Sequence, residues 1–156
     1  MVAPLAGVVQ APTAGELREL TDWRRAVSGE AAALAAGRAS KAALRAISAA
    51  AGEVDEVAGQ SVPAYRLADS RFHLAIAEAA GSSRLVTAET AIQAELGEIL
   101  AVVPGPETAL RASSEGHAPL LAAVAARDPA AARAAVERHV EATHDWVVGL
   151  RLGRLR

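Results

Sequence analysis

The stretch VPAYRLADSRFHLAIAEAAG, residues 62–81, decides the fold class. Pro63 is tolerated in a first helical turn, where its missing N–H would have no partner anyway. Tyr65, Asp69, Phe72, His73, Ile76 and Ala80 then recur at steps of three and four, the spacing of one helical face. Gly81 closes the segment. The face is apolar except for one carboxylate and one imidazole, and those two exceptions need an explanation.

Outward from this segment, the whole chain of 156 residues favours helices. It is 52% hydrophobic but only 3% aromatic, with Ala supplying much of the apolar count. Ala, Leu, Arg and Glu are good helix formers, whereas the β-branched and aromatic residues that fill strands are sparse. The expected class is all-α. The length suits one domain with a real core. A net charge of −2 lacks the basic footprint of a nucleic-acid surface. No apolar run approaches the ~20 residues that span a bilayer, so no membrane partner is expected. The absence of cysteine removes disulfides and thiolate metal sites. It is compatible with a reducing cytosol, and the expected location is cytoplasmic.

Periodicity and punctuation mark six helices. The first runs from Ala14 to Gly37, with Thr13 as a cap and a stripe of Leu17, Leu20, Val27, Ala31 and Leu34. The second runs from Ser40 to Ala58, turns Leu44, Ile47 and Val54 inward, and is closed by Gly59. The third is the stretch quoted above. Ser82 or Ser83 caps a fourth that extends to about Val103, after which Pro104, Gly105 and Pro106 break the chain. A fifth spans Glu107 to Arg127 with a kink near Gly116 and Pro119. Asp128 and Pro129, a cap and first-position pair, open a sixth that ends near Leu150. Residues 1–13, interrupted by Pro4 and Pro12, read as a leader or linker, residues 14–150 as the bundle, and residues 151–156 as a basic tail. Connections this short favour antiparallel neighbours.

Asp69 and His73 point with the apolar stripe, and a buried carboxylate is costly unless it is paired or coordinates a metal. A simple ion pair between the two would suffice. His117, however, shares its face with Leu120, Leu121 and Val124, and His139 is in line with Ala132, Val136, Val140 and Val147. A single core histidine is ordinarily satisfied by a backbone carbonyl. Three on the inward faces of three helices, with an inward Asp, point to a shared ligand. His144 lies about 140° around the helix from His139, on a partly solvated face with Glu137 and Glu141, and is left out.

Asp69, His73, His117 and His139 make a mixed nitrogen and oxygen set for one divalent metal. Zinc is taken first, and nickel, cobalt, manganese or iron also suit it. With one carboxylate as ligand, a divalent ion keeps a net charge of about +1, and its open positions can take water or an anion. Charge complementarity then favours a small carboxylate.

These residues fall in recognisable blocks. Residues 69–81, DSRFHLAIAEAAG, resemble the D-x-x-F-H-x-x-I-A-x-A-A-G signature of the FCD domain, the C-terminal effector-binding domain of FadR-type regulators in the GntR family. Residues 117–139 resemble its H-x-x-I-x-x-A-I-x-x-x-D block with the closing His, and residues 24–36 its R-x-x-x-E-x-x-A-A-x-L-A-A opening. The resemblance covers nearly the whole chain after residue 15. It implies an antiparallel bundle of six to seven helices around a central metal site held by the same four residues. It also implies a small organic acid, such as a sugar acid or a hydroxy or dicarboxylic acid, bound beside the metal. Arg24 matches an arginine that helps hold the effector, with an ion-paired or helix-surface arginine as the plainer alternative. The resemblance further implies a homodimer that contacts DNA through an N-terminal winged helix-turn-helix. Nothing before residue 14 can form that module, so DNA contact is expected only through a domain this chain does not carry.

The pattern has departures: Ser28 stands where the family has Glu, Ser82 where it has Asn, and Gly116 where Glu is frequent. Two rival readings differ in kind. A metal-dependent hydrolase needs a positioned base, but Glu78 and Glu115 are both off the faces of the neighbouring ligands. A metal-free structural bundle would leave the histidines as satisfied core residues. The expected role is sensing, not catalysis.

Overall fold

The computed structural model describes residues 12–102 and 113–151. The Pro104-Gly105-Pro106 break, the Glu107 start of the fifth helix, most of the leader and most of the basic tail lie outside the described residues. Among the described residues there are six helices and no strand: α1 (Ala14–Arg38), α2 (Lys41–Val57), α3 (Val62–Ala79), α4 (Ser83–Val102), α5 (His117–Ala125) and α6 (Pro129–Arg151). None of the described helices is long and apolar enough to cross a membrane.

Local chemistry sets the helix ends. Thr13 and Glu16 form a reciprocal capping box: the Glu16 N–H donates to Thr13 Oγ1 at 3.2 Å, and the Thr13 N–H donates to Glu16 Oε2 at 2.6 Å. Ser40 and Ser61 cap α2 and α3, and the Asp128 carboxylate accepts from the Ala131 N–H at 2.9 Å at the start of α6. Gly59 (φ 131°) and Gly81 (φ 71°) end α2 and α3 in backbone conformations open mainly to glycine. The expected kink in the fifth helix is a break. Residues 113–115 are helical, Gly116 is a turn, and α5 restarts at His117. Pro119 then falls in the first turn of α5, where no helical hydrogen bond is lost.

α1 runs antiparallel to α6, as the order of their contacts requires. Arg18 pairs with Glu141, Arg25 with Glu141 and Glu137, Glu30 with Arg133, and Arg127 reaches the Ala36 carbonyl. Such exposed pairs add little stability. Cohesion comes from apolar clusters, a small one of Ala31, Ala77 and Ala80 and two large ones. One joins α1, α2, α3, α5 and α6 through residues such as Ala35, Ile47, Phe72, Leu120 and Val136. Its small alanines let α1 and α6 approach closely, and burying a side chain such as Phe72 contributes roughly 1.5–3 kcal/mol. The other joins α1, α4 and α6 through Leu17, Leu20, Ile92, Leu96 and Val147. α1 and α6 belong to both large clusters; on α1 the buried Arg24 lies between the two contributions, and on α6 the buried His139 lies among the residues of the first.

Candidate metal centre and ligand site

α3 places Asp69 and His73 one turn apart on its buried face, α5 opens with His117, and α6 contributes His139. All four are buried, and each offers a ligand atom, the four lying within 4.8 Å of one another. Asp69 Oδ1 is 3.1 Å from His117 Nε2 and 3.9 Å from His73 Nε2. The His139 ring centroid lies 4.6 Å from that of His117 and 5.2 Å from that of His73. Phe72 packs on His117, with ring centroids 4.4 Å apart.

The set fits a metal. Bonds of about 2.1 Å put tetrahedral donors about 3.4 Å apart and opposite octahedral donors about 4.2 Å apart, so small side-chain adjustments would seat one ion. The unsatisfied atoms agree. Asp69 Oδ1 and both ring nitrogens of His117 are buried without a well-formed hydrogen bond, although Oδ1 and Nε2 lie 3.1 Å apart. An orphaned buried polar atom costs about 1–3 kcal/mol, and an ion seated among the four residues would relieve Asp69 Oδ1 and one ring nitrogen of His117.

The surroundings tune these donors. Burial pushes the Asp69 carboxyl upward, but His117, His73 and Arg66 outweigh it and hold the group well below the usual carboxylate range. Arg66 Nη1 donates to Asp69 Oδ2 at 2.6 Å, which leaves Oδ1 to face the histidines. Burial lowers His73 far below an ordinary histidine. It also lowers His139, with help from the Arg24 and His117 charges, to about 3. Both rings are therefore neutral near pH 7, as metal ligation requires.

Arg24 is only 3% exposed, and its Nη2 lies 3.2 Å from His73 Nε2, so the structure brings it to the cluster. Burial lowers its pKa, opposed by the charges of Asp69 and Glu89. His144 stays out of the group, its Nδ1 lying 2.9 Å from Thr21 Oγ1.

Three features escaped the sequence reading. Arg66 is the partner of Asp69 three residues away. Glu89 on α4 is 1% exposed and accepts from Ser28 Oγ at 2.7 Å and from Gln93 Nε2 at 2.8 Å. Ser28, where the family pattern has Glu, thus receives a carboxylate from another helix. A signal existed, since Glu89 interrupts the stripe Leu85, Ile92, Leu96 and Ile99 as Asp69 interrupts that of α3. The third is Gly116, where a Cβ would lie 2.8 Å from His139 Nδ1, so this glycine makes room for the imidazole.

A helical bundle with buried, convergent donors and a buried arginine beside them defines a ligand-binding domain. The sequence matches the FCD domain over residues 19–142, and the chain belongs to that family, the effector-binding regulatory domain of GntR-type regulators. The family is regulatory rather than catalytic. No protein of curated function matches the sequence. Among solved structures, the chain is similar to Streptococcus agalactiae GntR, with 20% identity and a TM-score of 0.74 over 91% of this chain and 64% of that one. It is also similar to E. coli McbR/YncC, with 18% identity and a TM-score of 0.80 over 94% of this chain and 75% of that one. At this identity the likeness shows the fold alone, and the chain spans about two thirds to three quarters of those proteins.

Proposed function

We propose that this chain is the sensing part of a GntR-type regulator. One divalent ion held by Asp69, His73, His117 and His139 anchors a small carboxylate effector, and Arg24 supplies a second positive contact. Binding is passed to a winged-helix DNA reader outside this chain, in a cytoplasmic homodimer. The observation that carries this reading is the convergence of four buried donors from three helices within 4.8 Å. Zinc suits three neutral imidazoles and a carboxylate, and nickel, cobalt, manganese or iron are also suited to the set.

The charges favour an anion. Arg24 and Arg66 roughly balance Asp69 and Glu89, so a divalent ion leaves a buried positive excess of about +2, which an incoming carboxylate offsets. When bound, the ion supplies positive charge and a coordination position for the acid. The acid acts as a signal only to the extent that it binds one packing of the helices more tightly than another. The hydrolase reading finds no support in the three glutamates considered for its base. Glu78 and Glu115 are exposed, and Glu89 is engaged by Ser28 and Gln93.

Elemental analysis of the purified chain beside Asp69→Ala and His139→Ala tests the reading. The expected result is about one metal per chain in the parent and little in either variant. Carboxylic acids should then raise the melting temperature of the loaded protein, and a chelator should abolish the effect. A parent that stays empty after reloading with zinc, nickel or manganese would sink the proposal.

A further inference from the structure

Arg24 has a second set of neighbours. Besides touching His73, it lines a crevice between α1, α4 and α6 whose walls include Leu17, Leu20, Leu96, Ile99 and Val147. Since Arg24 Nη2 lies 3.2 Å from His73 Nε2, the arginine joins the crevice to the metal-ligating cluster. The other polar groups on its wall are already engaged. Thr143 Oγ1 donates to the His139 carbonyl at 3.0 Å. Thr21 Oγ1 gives its one proton to the Leu17 carbonyl at 2.7 Å, and so accepts from His144 Nδ1 at 2.9 Å. Arg24 Nε, by contrast, is buried with no partner.

A ligand entering this crevice therefore meets one charged donor with capacity to spare and, beyond it, mainly apolar walls on which both threonine hydroxyls are already bonded. Resting on the carboxylate reading above, we infer that the crevice takes the tail of the effector, and that the effector is a monocarboxylate with a short apolar chain rather than a polyhydroxylated acid. The free volume is about 20 Å³, room for roughly one water molecule. A chain of several methylenes must therefore part α1, α4 and α6 where the second apolar cluster holds them together. The same crevice thus serves as recognition element and wedge. The occupied state is the separated one, and the tail supplies the difference in affinity that a two-state sensor needs.

Calorimetric titration of the metal-loaded chain with acetate, butyrate, hexanoate and gluconate tests this. Affinity should rise roughly two- to fourfold per methylene from acetate to hexanoate, as expected for apolar burial. Gluconate, with the same carbon count as hexanoate, should bind no better than acetate. Leu96→Ser should weaken hexanoate at least fivefold and leave acetate within twofold. Thr143→Val, a milder change that removes a hydroxyl from the wall, should tighten hexanoate without affecting acetate, and keeps the test available if Leu96→Ser does not fold. Acetate binding with no dependence on chain length, or gluconate binding tighter than hexanoate, overturns the tail assignment while the carboxylate reading stands. Failure of every acid to bind overturns that reading and this one with it.

Discussion

Gly116→Ala sets two opposing effects against each other at the centre of the candidate site. Gly116 has φ −65° and ψ −18°, angles that alanine adopts without strain. At such a position alanine ordinarily stabilises by about 0.4–1 kcal/mol, because it restricts the unfolded chain. Here, however, the new Cβ would lie 2.8 Å from His139 Nδ1 and 3.1 Å from the Ser113 carbonyl oxygen. Comfortable non-bonded contact needs about 3.5 Å or more. The carbonyl is backbone and cannot turn aside, so the imidazole must retreat by about half an ångström or more. Crowding of this kind costs about 1–3 kcal/mol, and the net expectation is a loss of about 1 kcal/mol, or about 2–4 °C in melting temperature for a chain of this size. Metal affinity should suffer more. Ligand positions tolerate only about 0.2 Å of error, and disturbing the support of a ligand costs about 10–100-fold in affinity. Zinc competition against a chromophoric chelator, together with melts of the loaded and stripped protein, measures both effects. Gly52→Ala is the control: it lies inside α2 with nothing within 4 Å of its would-be Cβ, and should stabilise. A Gly116→Ala variant that melts at or above the parent and keeps its metal affinity would refute the reasoning, since His139 would then not lean on this glycine.

Glu89→Ala should destabilise by about 3 kcal/mol or more in urea titrations, because it leaves the Arg24 charge less compensated and strands Ser28 and Gln93. Glu89→Gln should cost less, and equal losses in the two would argue against a role for the charge. The stripped protein should lose stability as pH falls from about 6.5 toward the folded value near 3 of His139. The sign follows from the lowered folded pKa: in that window the unfolded chain binds a proton that the folded one refuses. The slope should be roughly 1.4 kcal/mol per pH unit for each such histidine, His73 adding to it, and a flat profile would contradict the neutral, buried rings. Arg18→Ala, by contrast, should leave the melting temperature unchanged at physiological salt, because its bridge to Glu141 is exposed at both ends.

The sequence alone determined α1 to α4, α6 and the inward direction of the donors, because these are properties of local spacing. Asp69 and His73 are four residues apart, His117 and His139 each sit in an apolar stripe, and Thr13, Ser40 and Asp128 announce their helix starts. Glu89 was equally legible by the same logic. The break at Gly116 was legible only as a kink, since glycine marks flexibility but not direction. Tertiary structure decided which faces meet. Arg24 reaches His73 across 49 residues, Ser28 finds Glu89 across 61, and Gly116 has no side chain because the His139 ring occupies that space. No periodicity records such pairings. They are set by how closely α1, α3, α4 and α6 pack, and that depends on the summed shapes of side chains far apart in the chain.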